Sequence, residues 1–372
     1  MLAPKLRFKE FKSEWNKIKL SSIVTELNEK TNDTNNYPLW SLTLEDGVTP
    51  KTERYERGFL VKKEDNFKIV HYNNFVYNPM NLRLGAIAYH KEKIDISVSG
   101  YYNIFKIKNN YTIGFWDNYF KCPIMIKRYN NIATGSLVEK KRVHYSQFIE
   151  LSVPIPSEEE QIKISNLLVL LTKKIELQQR KIEVLKMYKR GLMCYMFNSI
   201  SEYSTNKLKD ICTIEKGQQL NHENMLNFGK YYVLNGGSTL SGYTNSYNTL
   251  ENTISISEGG NSCGYVNYNI QKFWAGGHCY TLKKISQHID DKYLFQVLKF
   301  NQGKIMKLRV GSGLPNIQKK SLENFELKIH NQYNQHIISK LFSNFDKKLE
   351  YETCIFTELT LFKKSLLQQM FI

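Results

Sequence analysis

The stretch Pro154–Phe197, PIPSEEEQIKISNLLVLLTKKIELQQRKIEVLKMYKRGLMCYMF, decides the fold of this chain because it occurs twice. The second copy starts at His330 and runs HNQYNQHIISKLFSNFDKKLEYETCIFTELTLFKKSLLQQMF to Phe371. From Gln161 onward the copies align without a gap at one offset, 335 − 161 = 174. Gln161/Gln335, Ser165/Ser339, Lys173/Lys347, Glu176/Glu350, Lys189/Lys363 and Phe197/Phe371 are identical pairs. A period of this length is too long for a solenoid repeat. It reads as a duplicated unit of one domain plus one helix.

The first copy carries an apolar seam at Ile164, Leu168, Leu171, Ile175, Ile182, Leu185 and Leu192. The second repeats it at Ile338, Phe342, Phe345, Leu349, Phe356, Leu359 and Leu366. Steps alternate between four and three, the heptad spacing of a coiled coil rather than the broader stripe of a surface helix. Polar residues interrupt both seams at the same two places, Gln178/Glu352 and Lys189/Lys363. Such residues cost stability and fix register. One stripe alone is compatible with a core-facing helix; two with coincident interruptions point to helices packed on each other. The intervening domain can return the chain to its starting end, so the pairing is expected to be antiparallel. Residues 161–197 would span about 55 Å at 1.5 Å per residue.

A chain of 372 residues with 41% hydrophobic and 13% aromatic content can fill two or three cores. The opening MLAPKLRFKEFKSEW is charged throughout and does not read as a signal peptide. No apolar run reaches the length of a membrane span. Six cysteines are scattered without a CxxC pair, which fits a reducing cytoplasm and argues against a zinc ribbon. Lys and Arg exceed Asp and Glu by 52 − 35 = 17. That excess attracts polyanions, nucleic acid first, and there is no basic amphipathic helix to favour a membrane.

The expected fold class is α+β: two mixed, mainly antiparallel-β domains alternating with two long helices. The divisions fall at 1–152, 153–198, 199–328 and 329–372. In the first domain, β-rich runs such as Asn74–Tyr77, Gly85–Tyr89, Ile94–Val98 and Tyr102–Ile107 are separated by polar breaks, one of them Lys108–Asn110. A loop, Gly135-Ser-Leu137 followed by Glu139-Lys-Lys-Arg142, leads towards its last strand. The second domain begins and ends like the first. Leu20-Ser-Ser-Ile23 matches Leu208-Lys-Asp-Ile211, and Thr134-Gly-Ser-Leu137 matches Val310-Gly-Ser-Gly-Leu314. Between these flanks the domains share little, and the second has glycine turns at 235–237, 258–261 and 275–278. The frame is duplicated and the interior has diverged, as expected where the interior decides what each domain recognises.

Catalytic motifs are not found. Glu258-Gly-Gly-Asn261 lacks the GxxxxGK[ST] arrangement of a phosphate loop and reads as a turn, and no GxGxxG joins a strand to a helix. Asn78-Pro-Met-Asn81 lacks the second proline and aromatic residue of an amino-methyltransferase motif. None of the eight histidines forms a paired metal-ligand spacing, and His278 reads as a hydrogen-bonding residue. The residues describe a binding protein.

On these residues the chain resembles the specificity subunit of type I restriction-modification systems. Pro4–Trp15 is similar to that family's opening, and Pro156-Ser-Glu-Glu-Glu160-Gln161 to its Pro-x-x-x-Glu-Gln start of a spacer helix. YNPMNLRLGAIAY and DISVSGYY in the first domain are similar to further family segments. The second half keeps only Gln335, with His330 and Asn334 replacing the proline and glutamate; the helix is expected to persist and the turn before it is left open.

The resemblance implies a non-catalytic subunit in which each domain reads one half of a bipartite DNA target. The helices would pair as an antiparallel coiled coil, set the unread spacer and dock two modification subunits. Those subunits would carry S-adenosylmethionine and methylate adenine, and motor-nuclease restriction subunits would join them. A spacer helix of this length is commensurate with one turn of B-DNA, about 34 Å. Candidate DNA contacts are Asn78, Asn81, Arg83, Tyr101 and Tyr102, with Lys140, Lys141 and Arg142, in the first domain. In the second they are Asn235, Ser238, Tyr243, Asn261 and His278. Arg and Lys suit guanine and phosphate; Asn suits adenine. Basic clusters at Arg180, Lys181, Lys186, Lys189, Arg190, Lys363 and Lys364 on the helices face solvent, DNA or a partner. A stand-alone two-domain DNA-binding regulator is the alternative.

Overall fold

The computed structural model describes residues 3–51, 66–108, 112–137, 140–311 and 313–372. Asn109 and Asn110 of the polar break, Glu139 of the basic loop and Ser312 lie outside the described residues. Two compact units emerge: Met1–Gln179 with Ile355–Ile372, and Arg180–Cys354. Each long helix is divided between the two units.

In the first unit, β1 (Asn16–Lys19) pairs antiparallel with β11 (Ser152–Ile155), bringing the start of the domain to its exit. Between them come β2 (Val24–Leu27), β3 (Lys30–Thr31), β4 (Trp40–Thr43), β5 (Gly47–Pro50) and β6 (Phe67–Val70). Next are β7 (Phe75–Tyr77), β8 (Ile87–Tyr89), β9 (Ile96–Ser99) and β10 (Asn103–Ile107). Three short helices follow, α1 (Ile113–Lys121), α2 (Pro123–Ile132) and α3 (Tyr145–Ile149). The main sheet has the order β2-β10-β7-β8, entirely antiparallel, and β3-β6-β9 and β4-β5 form smaller sheets. Alternation drives Phe75, Tyr77 and Phe105 to one face, where they meet Phe120 and Phe148.

The second unit repeats this plan. β12 (Tyr203–Lys207) pairs antiparallel with β20 (Glu326–His330), and α5 (Leu208–Ile211) follows β12. Then come β13 (Thr213–Lys216), β14 (Tyr231–Leu234), β15 (Gly242–Thr244), β16 (Thr253–Ser257), β17 (Val266–Asn269), β18 (Trp274–Ala275) and β19 (Cys279–Lys283). The order β13-β19-β16-β17 matches the main sheet of the first unit strand for strand. Here α6 (Asp291–Phe300), α7 (Gln302–Met306) and α8 (Lys319–Glu323) precede β20. The smaller sheet differs, since β14 pairs antiparallel with β15 and parallel with β18.

The long helices are α4 (Glu158–Ser199) and α9 (Gln332–Gln369). Both start on the same turn. Ser157 Oγ accepts from Glu160 N, and Asn331 Oδ1 accepts from Asn334 N at the equivalent place. Gln161 Nε2 donates to Pro156 O at 3.1 Å, and Gln335 Nε2 to His330 O at 2.9 Å. The turn is kept without the proline because its bonds use the His330 carbonyl and the glutamine amide. Glu160, almost wholly buried, takes two 2.7 Å bonds from Arg7.

Within each unit the helix portions run antiparallel. In the first, Lys363 Nζ donates to Thr172 Oγ1 at 2.8 Å, and Leu366, Met370 and Phe371 share a core with Ile164, Leu168 and Leu171. In the second, Lys181 pairs with Glu352 and Lys189 with Asp346, both at 2.6 Å. At the 174 offset Lys189 corresponds to Lys363 and Asp346 to Thr172, so the two contacts are one contact made twice. Of the seam residues, Ile164, Leu168, Leu171, Ile182, Ile338, Phe342 and Leu366 are buried. Ile175, Leu185, Leu192, Phe345, Leu349, Phe356 and Leu359 are half-buried. No described helix is long and apolar enough to cross a membrane.

Candidate nucleic-acid interface

Matching sheet orders give the two units equivalent rims. The last paired residues of the central ladder are Tyr77 with Asn103 in the first unit and Ser257 with Cys279 in the second. One step beyond stand Asn78 and Tyr102, and correspondingly Glu258 and His278. On the neighbouring strand, Leu27 opposite Ile104 corresponds to Lys216 opposite Tyr280. One frame therefore presents Leu27, Asn78, Tyr102 and Ile104 in one unit, and Lys216, Glu258, His278 and Tyr280 in the other.

In the first unit Asn78 is held in local structure. Its Oδ1 accepts from Met80 N at 3.0 Å and Asn81 N at 3.4 Å, and its side chain lies near the Tyr102 hydroxyl. Burial pushes the Tyr102 phenol up; bonds from the Leu42 backbone and Asn78 pull it back. Asn81 and Tyr101 are exposed, and Arg83 is half-buried with its carbonyl held by Asn130. The basic loop docks beside them, because Val143 N donates to Pro79 O at 2.9 Å. Thr134 and Arg142 close that loop with bonds of 3.0 and 2.9 Å. Gly135, at φ +149°, is required there: a Cβ would lie 2.9 Å from Lys141 Cα. Lys140 and Arg142 are exposed and Lys141 is half-buried.

In the second unit three glycine turns converge. Ser257 Oγ donates to Gly236 O at 2.5 Å, Gly276 N to Leu234 O at 2.8 Å, and Glu258 N to His278 O at 2.9 Å. His278 N donates to Asn235 Oδ1 at 3.4 Å. Gly236 has φ +84°, and a Cβ there would stand 2.7 Å from His278 O. The loop 310–316 closes through Val310 and Asn316, and Ile317 N donates to Glu258 O, a bond like that from Val143 but one residue nearer the strand. Ser238 and Asn261 are exposed on these turns, and Asn235 is half-buried. Tyr243, half-buried on β15, pairs through its backbone with Leu226 and Tyr232 in the smaller sheet.

Beneath the turns lies a polar cluster. Glu258 Oε1 accepts from Lys216 Nζ at 2.7 Å and Tyr280 Oη at 2.9 Å, while Oε2 is 3.5 Å from His278 Nδ1. Burial first, and then the bond to Glu258, raises the Tyr280 pKa. Sequence reasoning missed the role of the Glu258 side chain and those of Lys216 and Tyr280. For Glu258 a signal existed, an acid after a β run in a chain with a strong basic excess; strand residues Lys216 and Tyr280 carry no local signal.

Three of the basic helix residues, Lys181, Lys189 and Lys363, are used inside the helix pair, and burial lowers the pKa of Lys363. Arg180, Lys186, Arg190 and Lys364 are exposed.

Residues 200–361 match the family described as the type I restriction modification DNA specificity domain. A Mycoplasma genitalium protein named as a putative type I specificity subunit is 34% identical over 155 residues, covering 41% of this chain and 40% of the relative. A similarly named Mycoplasma pneumoniae protein is 33% identical over 156 residues, covering 41% of each. The matched region thus spans about two fifths of these relatives' length. Among solved structures, the S subunit of a type I restriction-modification system from M. genitalium superposes over 100% of this chain and 99% of its own, with TM-score 0.70 and 17% identity. A chain from a structural study of type I complex assembly and conformational transition covers 96% and 97%, with TM-score 0.54 and 14% identity. At these identities the structures establish a shared fold.

Proposed function

We propose, from the match of residues 200–361 to the type I restriction modification DNA specificity domain, that the whole chain is the sequence-reading subunit of such a complex. Each unit reads one half of a bipartite double-stranded DNA target. The observation that carries this is one frame built twice with different chemistry on its rim. Two identical rims would read a symmetric site; Asn78 and Tyr102 in one unit and Glu258 and His278 in the other suit an asymmetric one. The charge excess of +17 supplies phosphate attraction and non-specific affinity. Asn81, Tyr101, Lys140 and Arg142, and Ser238, Asn261 and His278, are exposed and would touch DNA.

The segments 1–152 and 199–328 would act as the recognition domains, with 153–198 and 329–372 as the spacer. Large apolar side chains stand exposed on α4, among them Leu170, Leu177, Val184, Met187 and Tyr195. Such a surface favours coverage by partner proteins, for which two modification subunits carrying S-adenosylmethionine are the candidates, joined by restriction subunits in the cytoplasm. The chain itself would perform no chemistry.

The test is a methylome. The chain is expressed with the modification subunit encoded beside it, in a host without DNA methylation, and N6-methyladenine is mapped. A bipartite asymmetric motif that disappears when the chain is omitted is expected. No new methylation from a folded complex would overturn the reading in favour of a stand-alone DNA-binding regulator.

A further inference from the structure

We propose that His278 reads the major-groove edge of an adenine, oriented by Glu258 and assisted by Lys216. The inference rests on the DNA-reading function above and names the base at one position of one half-site. Its starting point is the unequal use of the Glu258 carboxylate. Oε1 takes two hydrogen bonds, from Lys216 and Tyr280. Oε2 is buried with no hydrogen-bond partner among the described residues and has His278 Nδ1 at 3.5 Å. A buried acceptor left unsatisfied is costly. A small approach of the imidazole on DNA docking satisfies it.

An ionised carboxylate only accepts, so the ring nitrogen facing it carries the proton. In the neutral imidazole that sets the tautomer and leaves Nε2, across the ring, as an acceptor. His278 is 61% exposed and therefore open to a ligand, while Glu258 is 12% exposed and fixed from beneath. Lys216, 52% exposed, uses one N–H on Oε1 and has two more. The two oxygens of one carboxylate thus gather a ring with a free acceptor and an ammonium with free donors.

Only one base edge complements that pair. Adenine offers the N6 amine as donor and N7 as acceptor. Guanine offers two acceptors, which sets its lone pairs against Nε2. Cytosine itself has the N4 donor and no acceptor, the neighbouring O6 belonging to its paired guanine, and thymine has an acceptor and a methyl group. The backbone around the imidazole is held on three sides. His278 N donates to Asn235 Oδ1, His278 O accepts from Glu258 N, and Gly236 packs against both the carbonyl and the Cβ of His278. The first unit cannot present the same edge, since Leu27 replaces the lysine and Tyr102 the histidine.

The experiment compares methylomes of the wild-type and His278→Ala chains, each with its modification subunit, followed by binding of the purified complexes to duplexes carrying single analogues. In His278→Ala one A·T position in one half-site is expected to become degenerate, with the other half unchanged. At that position 7-deazaadenine and purine riboside should each weaken wild-type binding about tenfold or more. His278→Gln, which restores an acceptor, should keep the preference and controls for folding. Relaxation at a G·C position, or an unchanged motif in a folded His278→Ala complex, overturns the assignment while leaving the DNA-reading function standing. Absence of any motif with the wild-type chain sinks both.

Discussion

Four positions on a shared frame separate the two units. Where the first has Leu27, Asn78, Tyr102 and Ile104, the second has Lys216, Glu258, His278 and Tyr280. The first set is apolar beneath and closes its rim with a neutral amide–hydroxyl contact. The second buries a carboxylate and holds a lysine and a histidine over it. The sheet order is identical, so the difference is carried by side chains and not by topology. On the proposed function, a unit of this kind would change what it binds without losing ladder hydrogen bonds, because the differing residues lie at or near strand ends.

The largest expected effect separates the two helix starts. Arg7 and Glu160 form a buried bidentate pair in the first unit, whereas Asn334 stands at the place of Glu160 in the second. Arg7→Ala should destabilise the first unit by about 3 kcal/mol, by stranding a buried carboxylate. Asn334→Ala should cost the second less than about 0.5 kcal/mol. Hydrogen exchange read unit by unit checks both, and equal losses would break the contrast.

Next comes the backbone of the second rim. Gly236→Ala forces a Cβ to within 2.7 Å of the His278 carbonyl at a positive φ, a strain of about 1–3 kcal/mol. Its half of the methylation motif should degrade while the other half stays intact. Gly303→Ala, where a Cβ meets nothing within 4 Å, should leave both halves unchanged.

Charge sharpens the comparison further. Replacing Lys140, Lys141 and Arg142 by alanine should weaken binding similarly at all sequences. It should also lower the slope of log K against log salt by about 2–3, if each residue meets a phosphate. A change in motif with an unchanged slope would move these residues from phosphate contact to base reading.

A last contrast is in pH. The Lys299 amine donates to Val266 O and Gln302 Oε1, and burial lowers its pKa from 10.5 to about 8. Between these values the unfolded chain holds a proton that the folded unit does not. The stability of the second unit should therefore rise across that window as pH increases. Lys299→Met should flatten that rise, as followed by denaturant melts.

Much of the plan was legible in the sequence for a specific reason. Helix pairing is a periodic demand, so Ile164, Leu168 and Leu171 return as Ile338, Phe342 and Phe345 at the same heptad spacing. Lys189 and Lys363 likewise announce one contact twice. The rims were legible only as candidates. Asn78 looked like a base reader, and its amide oxygen also accepts from Met80 N and Asn81 N. Glu258 looked like part of a glycine turn, yet its side chain is what gathers Lys216, Tyr280 and His278. The turn before α9 was left open by the loss of proline. Its hydrogen bonds use a backbone carbonyl and Gln335, which the substitution does not touch.

By itself, then, the sequence determined the duplication, the heptad seam, the β-rich character of both domains and the basic charge. These follow from periodicity and composition, which are properties of the chain read in order. Tertiary structure alone decided that Leu27 corresponds to Lys216, Asn78 to Glu258 and Tyr102 to His278. That correspondence is fixed by ladder register between strands distant in the chain, and register is set by which faces are buried, a quantity no local pattern contains.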